Sequence, residues 1–234
     1  MQEGAHQMMG YDRASTMFSP DGRLLQVEYA KEAVKQGSTA IGVVCKDGVV
    51  LIADKRVVDE LIVPDSVEKI FQVDNHIAAT AVGYVMDGRV LIERSQLIAQ
   101  QHKVTYDEKV DPVTIVKEIC DVKQSYTQYG GARPFGVSIL FIGIDDDKPV
   151  LYVTEPTGIF FEYKAIAIGE NAEIAKAMLR KEFTENMNME QGIALAVRCL
   201  KKVLGKEFDP KRIDGALIDL KSQSFEKIEK KRLK

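Results

Sequence analysis

Tryptophan is absent from this chain of 234 residues, and cysteine and histidine occur only three times each. No Cys-x-x-Cys or His-x-x-x-His pair is present, so the sequence predicts no metal site and no redox motif. The three cysteines are Cys45, Cys120 and Cys199. An odd number of cysteines, together with a polar stretch at the N-terminus, favours a reducing, cytoplasmic setting.

Long apolar stretches are also missing. Runs such as Val49–Ala53 are far shorter than the ~20 residues that a membrane helix needs, so we expect no membrane segment. The formal net charge is −3, and this balance gives no indication of a nucleic-acid partner. No Gly-x-Gly-x-x-Gly motif is present, and no cofactor is predicted. The remaining composition, 45% hydrophobic and 29% charged, is typical of a globular domain.

The spacing of apolar residues predicts runs of strands that alternate with runs of helices. Predicted strands cover 38–44, 48–54, 67–73, 76–82, 137–144, 150–154, 158–163, 165–168 and 213–220; predicted helices cover 23–36, 84–102, 112–126, 171–183 and 189–204. Strands and helices in separate runs favour an α+β fold with antiparallel sheets over a parallel sheet. We therefore expect two five-stranded sheets between helical layers.

The two ends of the chain differ from this pattern. Residues 1–21 have no sustained period and end at the turn Ser19–Gly22, which predicts a flexible tail before one domain over 22–234. Helix 23–36 is amphipathic, and Gly37 stands at the C′ position, where glycine commonly ends a helix. The segment after Ser224 is predicted as a basic amphipathic helix or a frayed end.

Gly37-Ser38-Thr39, followed by Asp54 and Lys69, is a chemically suggestive arrangement. It is typical of N-terminal nucleophile hydrolases, in which a cut after glycine frees a hydroxyl residue whose own α-amine is the base. Here Ser38 follows 37 residues, and an amide nitrogen cannot accept the proton. The residues leave two interpretations open: a hydrolase fold that is inactive unless cut, or a glycine that only ends a helix.

Four segments are far more specific. They are Tyr11–Ala14, Phe18–Ala30, Ser66–Ile70 and Tyr126–Gly136. Together they resemble proteasome α-type subunits in their archaeal form, and the resemblance extends from Tyr11 to about Leu220. The segment Gly83–Arg89 departs from the family, which usually has Leu at Tyr84, Ala at Met86 and Ala at Gly88.

The resemblance implies a four-layer α-β-β-α sandwich, the N-terminal nucleophile hydrolase fold, with helix 23–36 across the cleft. It implies a subunit without an active site that forms a homoheptameric ring with other α subunits. Such rings cap the proteolytic β subunits, and unfolded proteins pass through their pore. The tail would gate this pore, with a gate cluster of Tyr11, Asp12, Pro20 and Tyr29.

The resemblance also implies a docking pocket between subunits. Lys69 would bind the C-terminal carboxylate of an activating ATPase there, and Glu28 and Gly83 would shape the pocket. Tyr129 would lie near the pore constriction and Arg133 at a neighbouring subunit. The simpler interpretation of Lys69 is a solvated lysine, and that of Tyr129 and Arg133 is an ordinary surface turn.

Two other classes of protein remain as alternatives. One is a β-type N-terminal nucleophile protease whose propeptide is cut before Ser38. The other is a stand-alone binding domain. The intact mass of the chain tests the first alternative, and its hydrodynamic size tests the second.

Overall fold

The computed structural model describes residues 10–11, 13–56, 61–63 and 66–233. The helices in this part of the chain are α1 (Leu25–Gln36), α2 (Val85–Tyr106), α3 (Pro112–Tyr126), α4 (Ala172–Glu182) and α5 (Met189–Leu204). The strands are β1 (Ala40–Cys45), β2 (Gly48–Asp54), β3 (Ile70–Asp74), β4 (Ile77–Gly83), β5 (Val137–Asp145), β6 (Lys148–Thr154), β7 (Phe160–Glu162), β8 (Ala165–Ile168), β9 (Ile213–Asp219) and β10 (Phe225–Lys227).

The described strands form two five-stranded antiparallel sheets, as the sequence predicts. The strand order is β10-β9-β2-β1-β8 in the first sheet and β3-β4-β5-β6-β7 in the second. Every residue of β2 is buried, and so are the first eight residues of β5. These central strands are therefore covered on both faces, which explains their nearly continuous apolar sequence.

Three apolar clusters divide the molecule into four layers. One joins α4 and α5 to the first sheet, another joins α2 and α3 to the second sheet, and the third lies between the sheets. Representative members are Ile41, Leu179 and Leu200 in the first cluster, Leu91, Ile115 and Phe141 in the second, and Leu51, Leu140 and Leu151 in the third. The fold is thus the expected α-β-β-α sandwich.

Helix α1 lies outside these four layers and contacts β4 and β5. It begins at Leu25, two residues later than predicted, and ends at Gln36 as predicted. Gly37 follows it as the C-terminal cap, as predicted, with a φ of −70° that is not left-handed. A Cβ at Gly37 would lie 2.4 Å from the backbone nitrogen of Gly83, so glycine is needed for close approach.

The C-terminal segment also differs from the prediction. Residues Phe225–Lys227 form β10, which pairs with β9, and Lys230–Leu233 form a short 3-10 helix. Leu233 and Ile228 are buried in the cluster of the first sheet. The segment is therefore neither an amphipathic α-helix nor a frayed end, because strand pairing and burial fix it.

Candidate functional site

Ser38 follows α1 directly and is 8% exposed. Its nitrogen belongs to the Gly37–Ser38 peptide bond. The Gly37 carbonyl accepts a hydrogen bond from the Glu170 amide at 2.8 Å, and the Thr39 hydroxyl donates to the Glu170 carbonyl at 2.6 Å. The segment around Ser38 is thus fixed to the loop after β8, and in this uncut chain the Ser38 nitrogen cannot serve as a base.

Asp54, the second residue of the hydrolase-like pattern, is fully buried and forms an ion pair within the chain. Arg212 donates to both of its carboxylate oxygens, at 2.7 and 2.8 Å, and the Arg56 backbone NH donates at 3.0 Å. The hydrogen bond with Asp54 is the main reason that the pKa of Arg212 is raised. Sequence reasoning missed Arg212, because 158 positions separate it from its partner.

Lys69, the third residue of the pattern, immediately precedes β3 and is half-buried. Its ammonium donates to the Ala81 carbonyl of β4 at 2.7 Å. Burial lowers the pKa of Lys69 to about 8; Asp54 opposes this shift, and Arg56 adds to it. A half-buried amine with a single backbone acceptor favours binding of an additional negative group.

A cavity of about 710 Å³ opens beside Lys69, and we call it the Lys69 cavity. Its cationic side chains are Lys55, Arg56, Lys69 and Arg89, and its apolar wall includes Val67, Phe71, Ala81 and Val85. Glu68 also lines it, but Glu68 accepts a hydrogen bond from Lys227 at 2.8 Å. The Lys69 cavity therefore combines a positive side with an apolar side, which suits a carboxylate on an apolar segment.

Gly83 lies at the wall of the Lys69 cavity, at the end of β4. Its φ is +124°, and a Cβ there would lie 2.2 Å from the Gly136 carbonyl oxygen. Gly37 approaches the same residue from the end of α1. Because both positions are glycine, the backbone after α1, the end of β4 and the residue before β5 can meet beside Lys69 without side chains between them.

The predicted contact residue Arg133 has its partners within the chain. It donates to both oxygens of Asp87 at 2.6 and 2.7 Å, and its guanidinium lies 5.6 Å from the centre of the Tyr84 ring. Burial alone would raise the pKa of Asp87, but hydrogen bonds from Arg133 and from the Gly136 backbone NH leave it below its usual value. The cluster attaches loop 127–136 to the start of α2.

Three residues of the predicted gate cluster lie in the described part of the chain, and Asp12 lies outside the described residues. Tyr11 is half-buried and Pro20 is exposed in the turn before α1. Tyr29 is 39% exposed and lines a groove of about 300 Å³. Tyr84 and Arg133 line the same groove. The structure thus brings Tyr29 and Arg133 together on one surface.

The tail also reaches the loop that carries Tyr129. The Ser15 hydroxyl donates to the Tyr129 carbonyl at 3.4 Å, and the Tyr129 side chain is 63% exposed. Glu28 is placed elsewhere: it pairs with Arg23 at 3.5 Å and does not line the Lys69 cavity within one chain. The structure therefore brings Lys69 and Gly83 together at one cavity, whereas Glu28 does not line that cavity.

In residues 10–11, 13–56, 61–63 and 66–233, no group of three or more His, Cys, Asp or Glu side chains could hold a metal ion. The described helices include none long and apolar enough to cross a membrane. All three cysteines are buried, and burial raises the pKa of each thiol.

Known proteins with similar sequences identify the family of this chain. The family model described as proteasome subunit matches residues 34–218, and the model of the A-type N-terminal signature of proteasome subunits matches residues 11–33. The chain is 52% identical over 219 residues to a proteasome alpha subunit of Thermococcus sibiricus, a match that covers 94% of this chain and 84% of the relative. It is 50% identical over 224 residues to the proteasome alpha subunit of Pyrococcus abyssi, covering 96% and 85% of the two chains. The corresponding protein of Methanocaldococcus jannaschii is 48% identical over 218 residues, covering 93% and 83%. The chain therefore belongs to the proteasome subunit family, in which it is one of the alpha subunits.

Proposed function

We propose that this chain is a non-catalytic subunit of the outer ring of the proteasome core, which gates substrate entry and docks activating ATPases. One observation carries the proposal. Ser38 has no free amine, whereas the neighbouring Lys69 presents its ammonium to an open, positive cavity. The residues of a hydrolase site are thus arranged for binding rather than for bond cleavage.

The hydrogen bonds and the ion pair that the hydrolase-like residues already make support the non-catalytic role. The Gly37–Ser38 bond sits in a hydrogen-bonded segment directly after α1. Asp54 is neutralised by Arg212, and Lys69 donates to a backbone carbonyl. In the uncut chain Ser38 lacks the free α-amine that serves as the base in N-terminal nucleophile hydrolases, so that route for its proton is missing.

The docking role follows from the charge of the Lys69 cavity. A C-terminal carboxylate could accept hydrogen bonds from the Lys69 ammonium while the apolar wall contacts the preceding side chains. A hydrogen bond between charged groups contributes roughly 1.5–3 kcal/mol. Repeated around a ring, several such contacts would give an activator high avidity.

Ring assembly would complete this site. Identical subunits in a closed cyclic arrangement present one face to the opposite face of the next copy. Glu28 does not line the Lys69 cavity within one chain, so we assign it to the cavity of the adjacent subunit in a seven-membered ring. Tyr129 and Arg133 belong to the loop that would line the pore and meet the neighbouring subunit.

The gating role rests on the tail. Ser15 contacts the Tyr129 carbonyl, so the tail and the loop that would line the pore are already joined within one subunit. Tyr11, Asp12, Pro20 and Tyr29 would then set the position of the tail over the pore. We expect the assembled particle to include β subunits, to receive unfolded proteins and to work in the cytoplasm.

A pair of lysine variants tests docking. In particles assembled with β subunits, Lys69→Met should abolish ATPase-stimulated degradation of an unfolded protein. The matched variant Lys206→Met changes an exposed lysine outside the cavity and should leave stimulation unchanged. Native mass spectrometry checks that both variants assemble. Wild-type stimulation of an assembled Lys69→Met particle would contradict the docking role.

A further inference from the structure

We propose that docking at Lys69 is coupled to proton uptake, so that the Lys69 cavity holds a carboxylate only while the lysine carries its proton. This inference rests on the proposed docking function and specifies how pH regulates it. Both the contacts of the amine and the charges around it support the coupling.

The Lys69 ammonium has more donors than the described residues use. A protonated lysine carries three N–H donors, and here the amine makes one hydrogen bond, to the Ala81 carbonyl at 2.7 Å. No carboxylate of the described residues lies within ion-pair distance of Lys69. In this part of the chain, the remaining donors are therefore available at the edge of the cavity, and the buried charge has no direct counter-ion.

The acidic groups described near Lys69 are committed to other partners. Asp54 at the end of β2 binds Arg212 through both oxygens. Glu68, on the same segment as Lys69, binds Lys227 of β10 at 2.8 Å. Asp214 of β9 accepts from the backbone NH of Lys69 at 3.3 Å and from that of Ile70 at 3.4 Å.

The other charged groups described at the cavity wall are cationic. Arg56 and Lys55 follow β2, and Arg89 projects from α2. Arg56 donates to Glu170, and Arg89 pairs with Glu93 at 2.6 Å, so part of their charge is balanced. Like charges and burial both oppose the ammonium form of an amine.

Burial, with the nearby cation of Arg56, lowers the pKa of Lys69 to about 8. A bound carboxylate within hydrogen-bond distance would raise this pKa again, because the ion pair favours the charged form. Well below pH 8 the amine is already charged, and binding needs no proton. Above pH 8 a growing share of binding events must take up a proton, so the apparent affinity falls as pH rises.

Isothermal titration calorimetry on the assembled full-length chain tests the coupling. The probe is an N-acetylated octapeptide of Leu, Ala and Gln with a free C-terminal carboxylate, which has no group that titrates between pH 7 and 9. With a pKa of about 8, the protonated fraction of Lys69 falls about tenfold between pH 7 and 9, and the affinity should fall by a similar factor. At pH 8.5, buffers of different ionisation enthalpy should reveal uptake of about three-quarters of a proton per site.

Two controls separate the coupling from the docking itself. Lys69→Arg keeps a charge that does not titrate in this range, so its affinity should change less than twofold between pH 7 and 9. The same peptide with a C-terminal amide should bind much more weakly at pH 7. Equal wild-type affinities at pH 7 and 9, without proton uptake, would overturn the coupling and leave docking intact. Absence of binding at both pH values would overturn the docking function as well.

Discussion

The Asp87 carboxylate and the Arg133 guanidinium form an ion pair with two hydrogen bonds, although 46 positions separate them in the chain. The same carboxylate accepts a hydrogen bond from the Gly136 backbone NH at 2.9 Å. Asp87 also lies in the first turn of α2, where the helix dipole favours a negative charge. One buried side chain thus joins the start of α2 to the loop that carries Tyr129.

Removal of this carboxylate should destabilise the protein. We expect Asp87→Ala to lower the free energy of unfolding by ~1–3 kcal/mol, because the buried Gly136 NH loses its acceptor. Glu93→Ala, which breaks the exposed pair with Arg89, should cost less than ~0.5 kcal/mol. Urea unfolding of the two variants measures the difference, and equal losses would contradict the anchoring role of Asp87.

Lys123 should make the stability of the protein depend on pH. This fully buried lysine of α3 donates to the Val137 carbonyl at 2.9 Å and to the Thr154 hydroxyl at 2.8 Å. Burial lowers the pKa of Lys123 to about 7, whereas an unfolded lysine titrates near ~10.4. Between these two pKa values the unfolded chain binds more protons than the folded chain does. The contribution of Lys123 to the free energy of unfolding therefore rises with pH and is lost as the pH falls toward 7.

Urea unfolding at pH 7 and 9.5 checks the effect of Lys123. The wild type should gain stability relative to Lys123→Met at the higher pH, because methionine does not titrate. Lys117→Met changes an exposed lysine of the same helix and should follow the wild-type pH dependence. Parallel pH profiles for the wild type and Lys123→Met would show that the amine does not titrate in this range.

Position 83 should not tolerate a side chain, because the backbone of Gly136 lies too close to Gly83. Gly83→Ala would place a Cβ 2.2 Å from the Gly136 carbonyl oxygen, at a φ of +124°. We expect a loss of more than ~2 kcal/mol in unfolding free energy, since both strain and overlap oppose the change. Gly130→Ala meets no atom within 4 Å and should change stability by less than ~0.5 kcal/mol. A tolerated Gly83→Ala would contradict the backbone geometry beside Lys69.

The tail should limit entry of long substrates into the assembled particle. Deletion of residues 1–12 should speed hydrolysis of long peptides, because the tails no longer obstruct the pore. Short peptides, which need a smaller opening, should respond less and serve as the control within the same particle. The two particles are compared by initial rates of hydrolysis. Unchanged rates for long peptides would remove the gating role of the tail.

Much of the fold could be predicted because apolar periodicity reflects burial. Helix α5 spans Met189–Leu204, as predicted, since its apolar face and its Asn188 capping box are local features of the sequence. Strand β10 could not be predicted, because three residues hold their conformation only by pairing with β9. Helix α3 begins at Pro112, as predicted, and the side chain of Asp111 before it makes no capping hydrogen bond.

The candidate site could be predicted only in outline. The motifs indicated Ser38, Asp54 and Lys69, but not Arg212, which neutralises Asp54 from the far end of the chain. The contact between Asp87 and Arg133 was missed for the same reason. Such pairs arise from strand order and loop closure, which local patterns do not encode.

Whether the Gly37–Ser38 bond is intact or cut tests most directly the proposal that this chain is a non-catalytic subunit. The measurement is the intact mass of this chain, taken from a purified, proteolytically active particle that also contains β subunits. We expect the residues before Ser38 to remain joined to it, because the Gly37 carbonyl and the Thr39 hydroxyl both bind the Glu170 backbone and hold this segment in place. A chain that begins at Ser38 with a free amine would contradict a non-catalytic role and identify the chain as a hydrolase.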